Sequence, residues 1–311
     1  MPAKASVDSR LYALRILLQV LEGESLSTAL PSIVKSLDAS RDKAFVQMLV
    51  YGVLRWYWRL DAMLQGLMQK PLKPKDDDVR LILLMTMFQL MDTRVPDYAA
   101  VNAAVELVRR QKKNWASGMV NGVLRNFIRQ QENLVASLQE NAQARYAHPQ
   151  WIISRLQNDW PEQWQTILEA NNQHPPLILR INRQKIALDD YLQQLNVSAE
   201  IMGPDAIRLT QACDVTELPG YAEGWFSVQD SGAQQAAYLI DLQPGQRILD
   251  CCAAPGGKTA HMLELEPGID ITAMDVSEQR LSRVKENLQR LGLHASLVCG
   301  DALNPENWWD G

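Results

Sequence analysis

The sequence predicts a multidomain protein with three parts: an all-α N-terminal domain, a small α+β connecting domain and a partial Rossmann-like α/β domain. Apolar residues recur at helical spacing through the first 140 residues, which predicts amphipathic helices. After His148 short strand and helix patterns mix, and from Gln243 they alternate strictly. The expected domain boundaries are residues 1–142, 143–237 and 238–311.

The N-terminal domain is predicted to be a helical bundle. The stretch SRLYALRILLQVLEG places four leucines, from Leu11 to Leu21, on one helix face. Asp8 or Ser9 is the expected N-cap of that helix, because both side chains can accept a hydrogen bond from its free amides. The aspartate run at 76–78 precedes an apolar stretch and therefore predicts another helix N-terminus.

The last domain is predicted to hold a parallel sheet. RILDCC, DITAMDVS and ASLVCGDA read as strands, and GKTAHMLEL and EQRLSRVKENLQRLGL read as helices between them. Strands that alternate with helices join by right-handed crossovers into a parallel sheet, here half of a Rossmann-type domain. Such a sheet normally needs more strands, so we expect an incomplete chain ending at Gly311.

The composition indicates a soluble globular protein, with 47% hydrophobic and 22% charged residues. The longest apolar run, Leu81–Met91, falls short of the roughly 20 residues that cross a bilayer. We therefore expect a core helix there, no membrane partner and a cytoplasmic protein. The cysteines show no metal-ligand spacing, which predicts reduced thiols and no metal site. They are Cys213, Cys251, Cys252 and Cys299.

Charge is distributed unevenly along the chain. The overall formal charge is −5, which taken alone argues against nucleic-acid binding. Residues 1–130, however, hold 19 Lys and Arg against 12 Asp and Glu, whereas the remainder holds 12 against 24. This distribution favours a basic module that neutralises phosphates, although an uneven solvated surface remains an equal alternative.

The segment DCCAAPGGKT nearly matches a phosphate-binding loop, G-x-x-x-x-G-K-[ST], but Cys252 replaces the first glycine. Pro255 removes an amide donor from the loop, and the segment also fails the dinucleotide pattern G-x-G-x-x-G. Its small residues still let a ligand approach the backbone, and the following helix offers free N–H groups to a carboxylate. A ligand with one carboxylate and an adenosine fits better than a triphosphate.

Two aspartates extend this pattern to the next strands. Asp275 ends the second strand about 20 residues past the glycine turn, where an acidic side chain can bind both ribose hydroxyls. Asp301 follows the third strand and is placed to accept a hydrogen bond from an adenine amino group. Each aspartate alone would more often cap a helix or form a turn, but the ordered set favours a binding site.

At this point the chain resembles a known family. DCCAAPGGKT is similar to the S-adenosyl-L-methionine loop of the Sun/Fmu group of RNA cytosine-carbon-5 methyltransferases, usually D-x-C-A-A-P-G-G-K-T. LRINR, VQDSGAQ and MVNGVLRNF resemble further family segments, the last in a NusB-like RNA-binding domain. The resemblance implies an enzyme that methylates carbon 5 of a cytosine in 16S rRNA, and we expect the chain to be monomeric. The implied cofactor contacts are Cys252, Ala253, Ala254, Pro255, Gly256, Gly257, Lys258, Asp275 and Asp301.

The chemistry implied by the resemblance needs a cysteine thiolate that adds to carbon 6 of cytosine. In the family two cysteines do this work, in Pro-Cys and Thr-Cys contexts, and neither context occurs in this sequence. We expect Cys251 to point into the sheet, Cys252 to line the ligand site by its backbone and Cys299 to lie in the core. We therefore predict that residues 1–311 contain no catalytic nucleophile and cannot methylate RNA by themselves.

Several residues are candidates for contacts with RNA. The stretch RWYWR from Arg55 interleaves cations and aromatics, but packing is the favoured interpretation. The cluster Arg109, Arg110, Lys112 and Lys113 is a better phosphate candidate, with a solvated helix end as the alternative. By resemblance Arg180 and Asn182 guide RNA towards the pocket, and His148 is expected to be a turn residue.

Two other functions stay open from the sequence. One is a non-catalytic RNA-binding module that carries a vestigial methyltransferase fold. The other is a nucleotide-dependent oxidoreductase or ATPase. This function is disfavoured because the loop departs from both the phosphate-binding motif and the dinucleotide motif.

Overall fold

The computed structural model describes residues 7–211 and 213–308 and divides the chain into two compact units, Met1–Gln173 and His174–Gly311. The first unit is helical, and the second contains two β-sheets. This division falls inside the expected connecting domain of residues 143–237, and the three domain boundaries themselves stay a prediction. Among the described helices, none combines the length and apolarity needed to span a bilayer.

The first unit is built around one buried helix, α5. Its helices are α1 (Val7–Leu21), α2 (Leu26–Val34), α3 (Ser40–Arg55), α4 (Tyr57–Leu67), α5 (Asp77–Asp92), α6 (Asp97–Arg110), α7 (Ser117–Ser137), α8 (Ala142–Tyr146), α9 (Gln150–Asp159) and α10 (Trp164–Asn171). Helices α1, α3, α4, α6 and α7 all pack against α5, which is why nine consecutive residues of α5 from Leu81 are buried. The predicted core helix and its aspartate N-terminus are both confirmed.

The first helix differs from its prediction at both ends. Because α1 begins at Val7, Asp8 and Ser9 lie inside it and neither is its N-cap. The Ser9 hydroxyl instead donates to Asp42 on α3 at 2.9 Å. Leu21 is 41% exposed, so the face predicted from the leucines is rotated relative to the face that is buried in the structure. The fully buried apolar residues in the described part of the helix are Ala13, Leu14, Ile16 and Leu17.

The second unit contains an antiparallel sheet followed by a parallel sheet. Its elements are β1 (Leu177–Ile181), α11 (Leu188–Gln194), β2 (Ala199–Ile201), β3 (Ala206–Leu209), β4 (Phe226–Val228), α12 (Ser231–Tyr238), β5 (Arg247–Asp250), α13 (Gly257–Leu265), β6 (Asp270–Asp275), α14 (Glu278–Leu291) and β7 (Ser296–Cys299). The antiparallel sheet has the order β2-β3-β1-β4, with Leu179 of β1 opposite Ile207 and Val228. Strand β2, which has three residues, and helix α12 were not predicted from the sequence.

The parallel sheet matches the predicted alternation of strands and helices. Its order is β5-β6-β7, and its buried side chains pack with those of α13 and α14 in one apolar cluster. The carboxyl ends of parallel strands meet at one edge, where ligands bind in open α/β sheets. Asp250, Asp275 and Cys299 end the three strands at this edge.

Candidate cofactor site

The loop between β5 and α13 is fastened at its start by a carboxylate. Asp250 accepts hydrogen bonds from the Cys252 amide at 3.3 Å and from the Thr259 hydroxyl at 2.7 Å, so it joins the strand end to the first turn of α13. The Ala253 amide donates to the Met274 carbonyl of β6 at 2.9 Å. These three bonds hold the loop across the carboxyl ends of two neighbouring strands.

The loop passes close to α14 because of one glycine. Gly256 has φ +97°, a left-handed conformation that glycine adopts without steric cost. A Cβ at this position would lie 3.1 Å from the Val284 side chain of α14. The Asn287 amide group donates to the Pro255 carbonyl at 2.8 Å and ties the loop to the same helix. The glycine is therefore needed both for the turn and for the close approach.

The first residues of α13 present a set of free donors. The backbone amides of Gly257, Lys258 and Thr259 precede the first intrahelical bond and have no acceptor among the described residues. Thr259 is fully buried, so only Gly257 and Lys258 have exposed surface here. They lie at the positive end of the helix dipole, where a carboxylate is stabilised. Gly257 adds no side chain to this surface, and such a donor set suits a ligand carboxylate.

Asp275 lies at the end of the central strand of the parallel sheet and is only 2% exposed. One carboxylate oxygen accepts from the Ser277 amide at 3.1 Å, and the other lies 3.3 Å from the Arg280 guanidinium. Because Arg280 is half exposed, this contact leaves acceptor capacity on the carboxylate. Asp275 is thus a fixed acceptor at the expected strand end.

Asp301 follows the end of β7 and is exposed. Its two carboxylate oxygens accept from the Leu303 amide and from the Asn304 side chain, both at 3.0 Å. This is the turn-forming arrangement that the sequence left open as the alternative role. The carboxylate oxygens keep further lone pairs, so a turn former here can still accept from a ligand.

The structure therefore brings the predicted residues to one edge of the parallel sheet. The loop Cys252–Lys258 follows the first strand, and Asp275 and Asp301 follow the second and third. The Gly300 amide, which donates to the Asp275 carbonyl at 3.2 Å, links the last two strand ends. Their contacts with a cofactor stay a prediction. Asp250 was missed, although it is the first letter of the loop motif and could have been found there.

The cysteines differ from expectation. Cys251 and Cys299 are exposed, not packed inside, because Cys251 lies in the turn beyond β5 and β7 is the edge strand of the described sheet. Cys252 is exposed in the loop, and Cys213 is half buried beside the core of the antiparallel sheet. Desolvation, with the nearby Glu278, raises the pKa of the Cys299 thiol and disfavours its thiolate. Within the described ranges no cluster of His, Cys, Asp or Glu could hold a metal.

Arg180 and Asn182 do not face RNA, and this expectation is wrong. Both side chains have no exposed surface. The Asn182 amide group donates to the Gly224 carbonyl at 3.3 Å. Arg180 contacts both carboxylate oxygens of Glu264 on α13, at 2.7 and 2.8 Å. It also donates to the Gly257 carbonyl at 2.8 Å and to the Gln229 side chain.

In the helical unit the basic cluster separates into two groups. Lys113 donates to Asp76 at 2.7 Å and lies 3.5 Å from Asp78, so its charge is neutralised within the unit. The other three members of the cluster are exposed and remain candidates for phosphate contacts; they are Arg109, Arg110 and Lys112.

The aromatic stretch RWYWR is mainly part of the fold, as favoured. Helix α3 ends at Arg55 and α4 begins at Tyr57, so Trp56 lies in the joint between them. Trp56 and Tyr57 pack against the apolar core, and Trp58 is 37% exposed. The expected turn residue His148 lies between α8 and α9, where its ring bonds the Tyr146 carbonyl at 2.5 Å.

Family comparisons cover most of the chain. Residues 7–129 match the NusB family, residues 148–216 match the ferredoxin-like domain of the RsmF/B-like methyltransferases, and residues 237–311 match the 16S rRNA methyltransferase RsmB/F family. The matches follow the predicted order of a helical, a mixed and an α/β part. The NusB-like and methyltransferase resemblances are confirmed.

Relatives and a solved structure agree with these matches. Ribosomal RNA small subunit methyltransferase B of Pseudomonas syringae is 46% identical, over 98% of this chain and 69% of that protein. The same-named protein of Pseudomonas putida is 46% identical, over 98% and 71%. The crystal structure of PH0851, 19% identical with a TM-score of 0.73 over 98% of this chain and 71% of that one, supports the fold alone. The chain belongs to the 16S rRNA methyltransferase RsmB/F family.

Proposed function

We propose that this chain carries the cofactor and RNA-binding parts of an enzyme that methylates carbon 5 of a cytosine in 16S rRNA. Family membership supports methylation of ribosomal RNA. That the target base is a cytosine, and that the methylated atom is its carbon 5, is our proposal. The observation that carries the proposal is the position of the free amides of Gly257 and Lys258, which follow the first parallel strand at the edge where Asp275 and Asp301 lie at the ends of the next two.

S-adenosyl-L-methionine fits the residues at this edge. Its carboxylate matches the free amides of α13, its ribose hydroxyls match the buried Asp275 carboxylate, and its adenine amino group matches Asp301. When bound, it supplies the electrophilic methyl group. The role of the chain's own residues is to orient this ligand and to keep the loop close to α14 through Gly256.

Carbon 5 of cytosine is a weak nucleophile, so the reaction needs a thiolate that adds to carbon 6. None of the four cysteines suits this role by its surroundings. Cys251 and Cys252 belong to the cofactor loop, Cys299 has a raised pKa, and Cys213 packs in the antiparallel-sheet core. We infer that residues 1–311 alone bind substrates without turnover. The same observation favours the second candidate, a non-catalytic RNA-binding module.

Calorimetric titration of the 311-residue chain tests the cofactor. We expect S-adenosyl-L-methionine to bind more tightly than ATP or NAD, and Asp275→Asn to weaken it about tenfold, because the amide replaces one acceptor by a donor. Binding of ATP or NAD in preference would overturn the proposal. Labelled methyl transfer to 16S rRNA by the same chain would contradict the absence of turnover.

We also propose that the exposed members of the basic cluster contact phosphates of 16S rRNA. The double substitution Arg109→Gln with Lys112→Gln should lower RNA affinity and reduce the slope of log K against log salt by about 2. Lys113→Gln is the matched control, because Lys113 is already paired with Asp76. An equal slope for both variants would exclude this surface.

We also propose that the protein acts in the cytoplasm as a monomer. The location follows from its proposed substrate, ribosomal RNA. Light scattering of the purified chain, free and with RNA, tests the monomer, and a stable dimer would contradict it.

A further inference from the structure

Arg180 is placed at the centre of a buried polar network. It lies on β1, which is paired on both sides within the antiparallel sheet, and its side chain is fully buried. Its partner Glu264 is only 3% exposed. Two N–H groups of one guanidinium, at 2.7 and 2.8 Å from the two carboxylate oxygens, form the bidentate geometry of an ionised pair.

The same guanidinium reaches both ends of α13. Gly257 is the first residue of this nine-residue helix, and Glu264 is its eighth. Arg180 therefore fixes the helix at two points, through the Gly257 carbonyl and the Glu264 carboxylate. The planar guanidinium holds its donors in a rigid fork, so these two contacts determine the orientation of the helix as well as its distance.

The network serves the position of the loop more than stability. Withdrawing two charges from water carries a large desolvation cost, and an apolar pair of similar volume is often at least as stable. Desolvation accordingly raises the pKa of Glu264 despite the opposing attraction of Arg180. The guanidinium does, however, bond the Gly257 carbonyl as well as Glu264, a directional contact that an apolar pair cannot make.

We propose that Arg180 is a positioning residue for the cofactor: through Glu264 and Gly257 it sets where the amides of α13 point. The antiparallel sheet, expected to guide RNA through this residue, is then a structural part of the cofactor site. This inference rests on the proposed function, and it concerns affinity for the cofactor, not contact with RNA.

Arg180→Lys in the 311-residue chain is the first test. The ammonium can keep its charge beside Glu264 but cannot hold the carboxylate and the Gly257 carbonyl together. We expect about tenfold weaker binding of S-adenosyl-L-methionine, the scale typical of groups that orient a binding residue. Arg183→Lys is the matched control, because Arg183 also pairs with a buried carboxylate, that of Asp205. This variant should bind S-adenosyl-L-methionine as tightly as the unsubstituted chain.

A double variant separates positioning from stability. Arg180→Met with Glu264→Met leaves no unpaired buried charge, so we expect the unit to fold with a similar melting temperature. Its cofactor affinity should nevertheless fall as in Arg180→Lys. If the double variant binds as tightly as the unsubstituted chain, the network only stabilises the fold and the proposal is overturned.

Hydrogen exchange gives a readout that needs no cofactor. The Ala253 and Ala260 amides are bonded to Met274 and Gly256 and report on the loop and the first turn of α13. In Arg180→Lys we expect faster exchange at these amides and unchanged exchange in α14. Equal acceleration throughout the unit, or none at the loop, would overturn the inference. If the unsubstituted chain binds no cofactor, the proposed function fails, whereas exchange still tests the positioning.

Discussion

The helical unit and the second unit place their charged groups differently. In the helical unit the pairs Lys113–Asp76 and Arg80–Asp61 lie at the rim, with lysine and arginine side chains 24% and 29% exposed. In the second unit Arg180 and Glu264 form a fully buried ion pair. Apolar packing thus holds the helices together, whereas a buried charge network fixes the loop.

The largest expected effect tests the packing of the helical unit. A Cβ added at Gly52 of α3 would lie 2.0 Å from the Phe88 ring of α5, so Gly52→Ala must displace that ring from the core. We expect the free energy of unfolding to fall by about 3 kcal/mol, measured by urea denaturation. Gly118→Ala on α7, where nothing lies within 4 Å, is the control and should be neutral or slightly stabilising. Equal costs would contradict a close-packed α3–α5 contact.

The second prediction concerns a buried histidine beside the charge network. His261 of α13 is 1% exposed, and neither ring nitrogen has a partner among the described residues. Burial, followed by the charges of Arg180 and Arg183, lowers the pKa of His261 to about 3. An unfolded histidine takes up its proton near pH 6.5, so the unfolded state binds more protons between these values. Stability is therefore lost as the pH falls through this window.

His261→Leu should remove this loss. Between pH 7 and pH 5 we expect the original chain to lose about 2 kcal/mol more unfolding free energy than the variant, since one proton contributes about 1.4 kcal/mol per pH unit. Urea denaturation at both pH values measures the difference. The exposed His294 provides the control, and His294→Leu should leave the pH dependence unchanged. Parallel curves for His261→Leu and the original chain would contradict the assignment.

The third prediction concerns the turn of the cofactor loop. Gly256→Ala places a Cβ at φ +97° and 3.1 Å from Val284, so we expect about 1.5 kcal/mol of strain and weaker cofactor binding. Gly245 also has a positive φ, +81°, but nothing lies within 4 Å of its Cβ position. Gly245→Ala should therefore carry the strain without the loss of affinity. Urea denaturation of both variants measures the strain, and calorimetry measures the cofactor affinity. Equal affinities of the two variants would mean that the loop is not part of the binding site.

The sequence predicted elements whose apolar residues repeat and missed features that depend on distant partners. Helix α5 followed from its apolar run and the aspartates before it, and the β5–β7 alternation followed from periodicity and turn residues. Arg180 was misassigned because its partner Glu264 lies 84 positions away, and no local pattern links them. Cys299 was misassigned because an apolar strand sequence does not show which of its faces is covered. The order of the strands along the chain, in contrast, correctly predicted that Asp275 and Asp301 lie at the same edge of the parallel sheet.

The smallest expected effect tests the rim pairs of the helical unit. The hydrogen bond to Asp76 raises the pKa of Lys113, so the contribution of this lysine to stability is present at neutral pH and is lost as the pH rises through the raised pKa. Because the pair is partly hydrated, Lys113→Gln should cost less than about 1 kcal/mol, and the cost should shrink further in 1 M salt. Lys112→Gln, at the exposed neighbouring position, is the control for altered net charge. A cost near that of Gly52→Ala, unchanged by salt, would mean that charge pairing and not apolar packing holds the helical unit together.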